Sequence, residues 1–112
     1  MFLYRIKSDG SALGRWQLSD RPAVVGRDEG ATIRIPDYRM SRRHFLIFRG
    51  SGTFFVEDLD SKNGTWLNGV RVRRAALEIN DRIVAGRTCF CFEAGLTTGI
   101  RELEREMGAV EE

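Results

Sequence analysis

The chain is poor in the residues from which most active sites are assembled. It has one histidine, His44, and two cysteines, Cys89 and Cys91. A catalytic triad, a His-based metal site or a His general base would each have to be built on that single imidazole. Cys89 and Cys91 stand two positions apart, so on a strand both side chains leave the same face. A disulfide between such neighbours is strained, and two thiols alone do not complete a zinc site. They read as buried, reduced strand residues, and no metal or cofactor is expected. No apolar run approaches the ~20 residues of a membrane helix. The opening Met1-Phe2-Leu3-Tyr4-Arg5-Ile6 has no signal-peptide pattern. The expected compartment is therefore the cytoplasm, without membrane contact. Excess charge is also lacking: 18 basic against 16 acidic residues leave a net +2, which argues against a dedicated nucleic-acid binder. There is no Gly-rich loop of the P-loop or dinucleotide type, no internal repeat and no low-complexity segment.

What the chain has in quantity is short β-forming runs cut by turn residues. Its 112 residues suit one domain with a real core. Residues 2–7 alternate apolar and polar, as a half-buried strand does. Arg15-Trp16-Gln17-Leu18 makes a second strand, and Ala23-Val24-Val25 runs into Gly26-Arg27. Thr32-Ile33-Arg34-Ile35 is a brief strand ended by Pro36, whose missing N–H suits an edge or a boundary. Residues 44–48 and 53–56 form a hairpin around Gly50-Ser51-Gly52, and 81–86 with 88–92 form another. Two Asn-Gly pairs, Asn63-Gly64 and Asn68-Gly69, flank Thr65-Trp66-Leu67. Asn-Gly is a strong turn signal because both residues tolerate φ > 0. The pattern predicts an all-β sandwich or barrel. Only the end differs: Ile100, Leu103, Met107 and Val110 recur at helical steps among charged residues. That predicts an amphipathic α-helix over 100–110, packing on the sandwich, on more protein or on a second copy.

Three polar stretches at strand ends share one chemistry. Gly26-Arg27, Ser41-Arg42-Arg43-His44 and Ser61-Lys62-Asn63-Gly64-Thr65 are rich in groups that donate to an anion. Arg27, Arg42 and Lys62 carry charge, Ser41 a hydroxyl, and the Asn63-Gly64 turn exposed backbone N–H groups. A phosphorylated side chain offers about −1.5 to −2 charge and three acceptor oxygens. Arginine's planar fork suits that geometry, with charge-assisted bonds worth about 1.5–3 kcal/mol each. Ser41 has no evident base or orienting carboxylate, so capture of an anion fits better than catalysis, and no enzyme is expected.

In their joint order these motifs closely resemble a known signature. Gly26-Arg27, Ser41-x-x-His44, Asp58-Leu59-x-Ser61-x-Asn63-Gly64-Thr65-x-x-Asn68-Gly69 and Leu77-x-x-x-Asp81-x-Ile83-x-x-Gly86 resemble the forkhead-associated (FHA) domain. The resemblance runs from Phe2 to Phe92. It implies an FHA-type β-sandwich of two sheets and about eleven strands over 1–95, followed by the helical tail, 96–112. It also implies recognition of phosphothreonine in a partner protein, a kinase or a kinase substrate. On this resemblance Arg27, Ser41, Arg42 and Lys62 would hold the phosphate. Asn63 would bond the peptide backbone, and Asn68 would hold the peptide or the loop. Arg39 would read a residue three positions after the phosphothreonine, favouring an acidic one. Gly26, His44, Gly64, Thr65 and Gly69 would be structural support.

Two other readings stay open at this level. Asp28 and Glu29 directly follow Arg27 and set two carboxylates against its guanidinium. They fit a phosphate-independent interaction or assembly domain on the same scaffold. Arg39, Arg42, Arg43, Arg71, Arg73 and Arg74 could instead meet a nucleic acid, which would bring steep salt dependence.

Overall fold

The computed structural model describes residues 1–95; the helix expected over 100–110 lies outside the described residues. Eleven strands follow one another: β1 (Phe2–Ile6), β2 (Ala12–Gln17), β3 (Ala23–Gly26), β4 (Ile33–Arg34), β5 (Phe45–Gly50) and β6 (Thr53–Asp58). Then come β7 (Thr65–Leu67), β8 (Val70–Val72), β9 (Arg74–Ala76), β10 (Arg82–Ala85) and β11 (Thr88–Glu93). They form a six-stranded sheet, β2-β1-β11-β10-β7-β8, and a five-stranded sheet, β4-β3-β5-β6-β9. Strand β4 is an edge strand, and Pro36 lies just past its end.

Alternation along the strands fills the space between the sheets. Leu3, Val25, Ile33, Phe45, Ile47, Val56, Ile83 and Phe90 are all at most 2% exposed. Burying one such side chain stabilises the fold by about 1.5–3 kcal/mol. Phe45 of one sheet meets Phe90 of the other edge to face, with centroids 5.5 Å apart. This contact sits beneath the strand ends that carry the polar loops.

The two Asn-Gly pairs serve different ends. Asn68 and Gly69 both have positive φ (49° and 85°) and join β7 to β8 as a two-residue hairpin. Ser51 and Gly52 (55° and 80°) do the same between β5 and β6. Asn63-Gly64 closes no hairpin; it belongs to the loop that carries the chain from β6 in one sheet to β7 in the other. Strands β8 and β9 were not separately marked by periodicity, because Arg71, Arg73 and Arg74 interrupt the apolar pattern there. Both are three-residue edge strands, where charged side chains guard unpaired backbone.

Sheet geometry gathers four connections at one end: the chain after β3, the β4–β5 loop, the β6–β7 loop and the β10–β11 turn. Phe2 pairs with Glu93 at the opposite end.

Candidate functional site

The first loop is locked to β3 by its backbone. Arg27 N–H donates to the Ser41 carbonyl (3.2 Å) and Asp28 N–H to the Arg42 carbonyl (3.1 Å). This approach is close enough that only glycine fits at 26. A Cβ on Gly26 would lie 2.0 Å from the Arg42 oxygen and 2.7 Å from its carbon. Gly26 therefore sets how near the serine loop comes to Arg27. The Arg27 Nε–H donates to the Met40 carbonyl at 2.8 Å, which orients the guanidinium and leaves the N–H groups of its two terminal nitrogens as further donors.

His44 ties the serine loop to the β6–β7 loop. It is fully buried. Its Nδ1 accepts from the Ser41 backbone N–H at 3.0 Å, so that nitrogen carries the lone pair and Nε2 carries the proton. Nε2–H then donates to the Gly64 carbonyl at 2.8 Å. The Ser41-x-x-His44 spacing is thus a short turn closed by the ring. Leu59 N–H adds a bond to the His44 carbonyl.

Asp58 organises the β6–β7 loop. Its carboxylate accepts from Ser61 N–H (3.0 Å), Ser61 Oγ–H (2.5 Å) and Thr65 Oγ1–H (2.6 Å). Ser61 Oγ in turn accepts from Gly64 N–H at 2.9 Å. Partial burial pushes the Asp58 carboxyl up, but bonds from Ser61 and Thr65 outweigh it and hold the group below its ordinary value. Thr65 is fully buried. Gly64 is buried beneath the Arg71 guanidinium.

These constraints bring Arg27, Arg39, Ser41, Lys62 and Asn63 to one cleft of about 390 Å³, with Tyr38 and Met40 completing its wall. Lys62 N–H donates to Ser41 Oγ at 3.0 Å, so the serine oxygen is occupied as an acceptor and its own proton is free to donate. Asn63 Nδ2 donates to the Arg39 carbonyl at 2.8 Å, bridging the two loops. Among the described residues no carboxylate lines the cleft. The ion pairs among the described residues join Arg49 to Asp20 and Arg74 to Glu57, so neither Asp28 nor Glu29 pairs with Arg27. The cleft is positively charged and built of donors.

Two residues of the expected site stand elsewhere. The Arg42 side chain is exposed and outside the cleft lining. Asn68 lies at the far end of β7, four residues or about 13 Å of extended chain from Gly64. Its amide is committed there, donating to Asp81 Oδ1 (2.9 Å) and accepting from Arg82 N–H (2.9 Å), so it holds a loop. Gly69 accompanies it in the hairpin turn.

Sequence reading missed three contributors. Tyr38, 76% exposed, forms one wall, with the Arg87 guanidinium 5.9 Å from its ring. The Met40 carbonyl orients Arg27. Asp37, only 8% exposed, accepts from Arg39 N–H (2.9 Å), Arg87 N–H (2.7 Å) and Thr88 Oγ1–H (2.7 Å). It fastens the serine loop to the β10–β11 turn of the other sheet. Burial pushes its carboxyl up, while the bonds from Thr88, Arg87 and Arg39 bring it below its ordinary value. The Pro36-Asp37 pair at a strand end was the available signal, since aspartate there commonly caps a turn. Among the described residues no three His, Cys, Asp or Glu side chains converge as metal ligands, and no helix is long and apolar enough to cross a membrane.

Known proteins resemble this chain in sequence and fold. The FHA domain family model matches residues 23–86, more than half of the chain. FHA domain-containing protein FhaB of Mycobacterium tuberculosis is 32% identical over 87 residues, covering 76% of this chain and 56% of FhaB. The chain thus spans about half the length of that curated relative. Among solved structures, one from a study of phosphothreonine-dependent FHA domain interactions superimposes with a TM-score of 0.74 at 29% identity, covering 83% of this chain and 94% of the other. The FhaA FHA domain, crystallised with the intracellular domain of Rv3910, superimposes with a TM-score of 0.71 at 30% identity over 80% of this chain and 96% of the other.

Proposed function

Because this chain belongs to the FHA domain family, we propose that it is a phosphothreonine-dependent protein–protein interaction module and not an enzyme. The observation that carries this reading is the carboxylate-free cleft in which a Met40-oriented Arg27 and a Lys62-supported Ser41 meet. The terminal NH₂ groups of Arg27, the Ser41 hydroxyl and the Lys62 ammonium donate to the phosphate oxygens, and the Arg42 backbone N–H adds a neutral donor. Asn63, already braced on Arg39, offers its remaining amide groups to the peptide backbone. The partner is a phosphothreonine-bearing protein, a kinase or a kinase substrate, and binding takes place in the cytoplasm.

The doubly charged phosphate gains about 1.5–3 kcal/mol per charge-assisted bond, reduced by solvent because Arg27 and Lys62 are exposed. The threonine methyl adds about 0.8 kcal/mol where an apolar surface receives it, a few-fold preference over phosphoserine. Arg39 and Tyr38 flank the path of the peptide after the phosphothreonine, and Arg39 favours an acidic side chain there.

Calorimetric titration with a phosphothreonine peptide and its unphosphorylated twin tests the reading. Binding of the phosphorylated form alone is expected. Equal affinity for both would overturn this reading.

A further inference from the structure

Arg71 does not line the phosphate cleft, yet its guanidinium lies against the loop that forms the cleft's edge. A Cβ on Gly64 would meet Arg71 Nε at 2.7 Å and Cζ at 2.9 Å, so the flat head group rests on bare backbone. Strand pairing brings it there. Arg71 of β8 stands opposite Trp66 of β7, and because Thr65 beside Trp66 is fully buried, both side chains leave the outer face of the sheet. Trp66, 38% exposed, belongs to the same turn, since its indole N–H donates to the Asn63 carbonyl at 3.4 Å.

The Arg71 charge is exposed and uncommitted. Among the described residues the ion pairs are Arg49 with Asp20 and Arg74 with Glu57, and neither involves it. Its neighbour Asn63 is the residue that braces the cleft. Asn63 gives its side-chain amide to the Arg39 carbonyl and its main-chain carbonyl to the Trp66 indole. Arg39 with Tyr38 therefore stands on one side of Asn63, and Arg71 with Trp66 on the other. Each pair joins an arginine to an exposed aromatic ring.

We propose that Arg71 and Trp66 form a second reading position for the phosphopeptide, taking an acidic side chain before the phosphothreonine as Arg39 takes one after it. This position rests on the phosphothreonine reading above. Asn63 holds the peptide backbone beside the phosphothreonine, and the Arg71 head group covers the next residue of the loop. An extended peptide advances about 3.3 Å per residue, so its second and third residues before the phosphothreonine come within reach of that head group. A carboxylate there meets the planar guanidinium fork, and its methylene stem lies on the indole.

Calorimetry on the full chain tests this with three peptides. One is a phosphothreonine peptide with glutamate at the second and third positions before the phosphothreonine. Another has alanine at both, and the last is the unphosphorylated form of the glutamate peptide. The parent is expected to prefer the glutamate over the alanine phosphopeptide about threefold at low salt, as an exposed ion pair allows, and less at higher salt. In Arg71→Ala the two phosphopeptides should bind equally. If Arg71 only covers Gly64, the substitution weakens both and keeps their ratio, which overturns the proposal, as does a parent that shows no preference. The Trp66 indole N–H resonance should move further with the glutamate peptide than with one that begins at the phosphothreonine, and equal movement also overturns it. These failures leave the phosphothreonine reading standing. Equal binding of the unphosphorylated form would instead overturn that reading and this position with it.

Discussion

Replacing Gly26 with alanine tests the link between fold and site most directly. The added methyl would sit 2.0 Å from the Arg42 oxygen and 3.0 Å from the Arg43 Cα. Carbon-to-oxygen contacts settle near 3.3–3.6 Å, so the serine loop must retreat by more than about 1 Å. Both neighbouring contacts are backbone to backbone, and no side-chain rotation relieves them. That retreat stretches the Asp28–Arg42 and Arg27–Ser41 bonds, already 3.1 and 3.2 Å, beyond useful length. Overpacking costs about 1–3 kcal/mol and each lost bond about 0.5–1.5 kcal/mol. The expected destabilisation is about 2–6 kcal/mol, a large share of the ~5–15 kcal/mol of a typical domain. Thermal unfolding followed by circular dichroism should then drop by at least about 8 °C. Phosphopeptide affinity, measured well below both transitions, should fall too, because Ser41 and Arg42 move with the loop. Gly10→Ala is the control: nothing lies within 4 Å of its Cβ, and its φ of +88° costs only about 1–2 kcal/mol. If Gly26→Ala melts no lower than Gly10→Ala, the close approach does not set the loop position and the reasoning is wrong.

Other substitutions separate ligand contact from support. Arg27→Ala should weaken phosphothreonine-peptide binding about 100-fold while costing no more than about 1 kcal/mol of stability, the Met40 bond being its main internal contact; near-normal binding would contradict its role. His44→Ala strands the part-buried Ser41 N–H and the buried Gly64 carbonyl and opens a cavity, so urea unfolding should show a loss of about 2–5 kcal/mol together with weaker binding. A variant that unfolds like the parent yet fails to bind would make His44 a ligand. Asp37 and Asp58 have lowered folded-state values relative to about 3.9 unfolded, so their stabilisation is present above that value and is lost as pH falls through the folded values. The melting temperature should hold near neutrality and decline below about pH 4, and Asp58→Asn should make that decline shallower.

Much of the sandwich could be read from alternation and turns. The Gly50-Ser51-Gly52 hairpin and the pairing of β10 with β11 followed from local chemistry alone. Strands β8 and β9 did not, because short edge strands rich in arginine lack an apolar period. The order of the motifs identified the loops that converge, since each polar stretch ended an apolar run. Their internal wiring was hidden. That Asn63 bridges to Arg39 while Asn68 faces Asp81 depends on which sheet each turn belongs to, and two identical Asn-Gly pairs carry no such information. Asp37 escaped notice because its three donors come from residues as far as 51 positions away.

The pairing of Phe2 with Glu93 has a consequence for how this unit combines with others. Antiparallel neighbours lie about 5 Å apart, so both ends of the sandwich emerge side by side, at the pole away from the cleft. A cargo fused at either end, or a host loop receiving the whole unit, would hold it like a bulb in a socket, with its receptor surface facing outward.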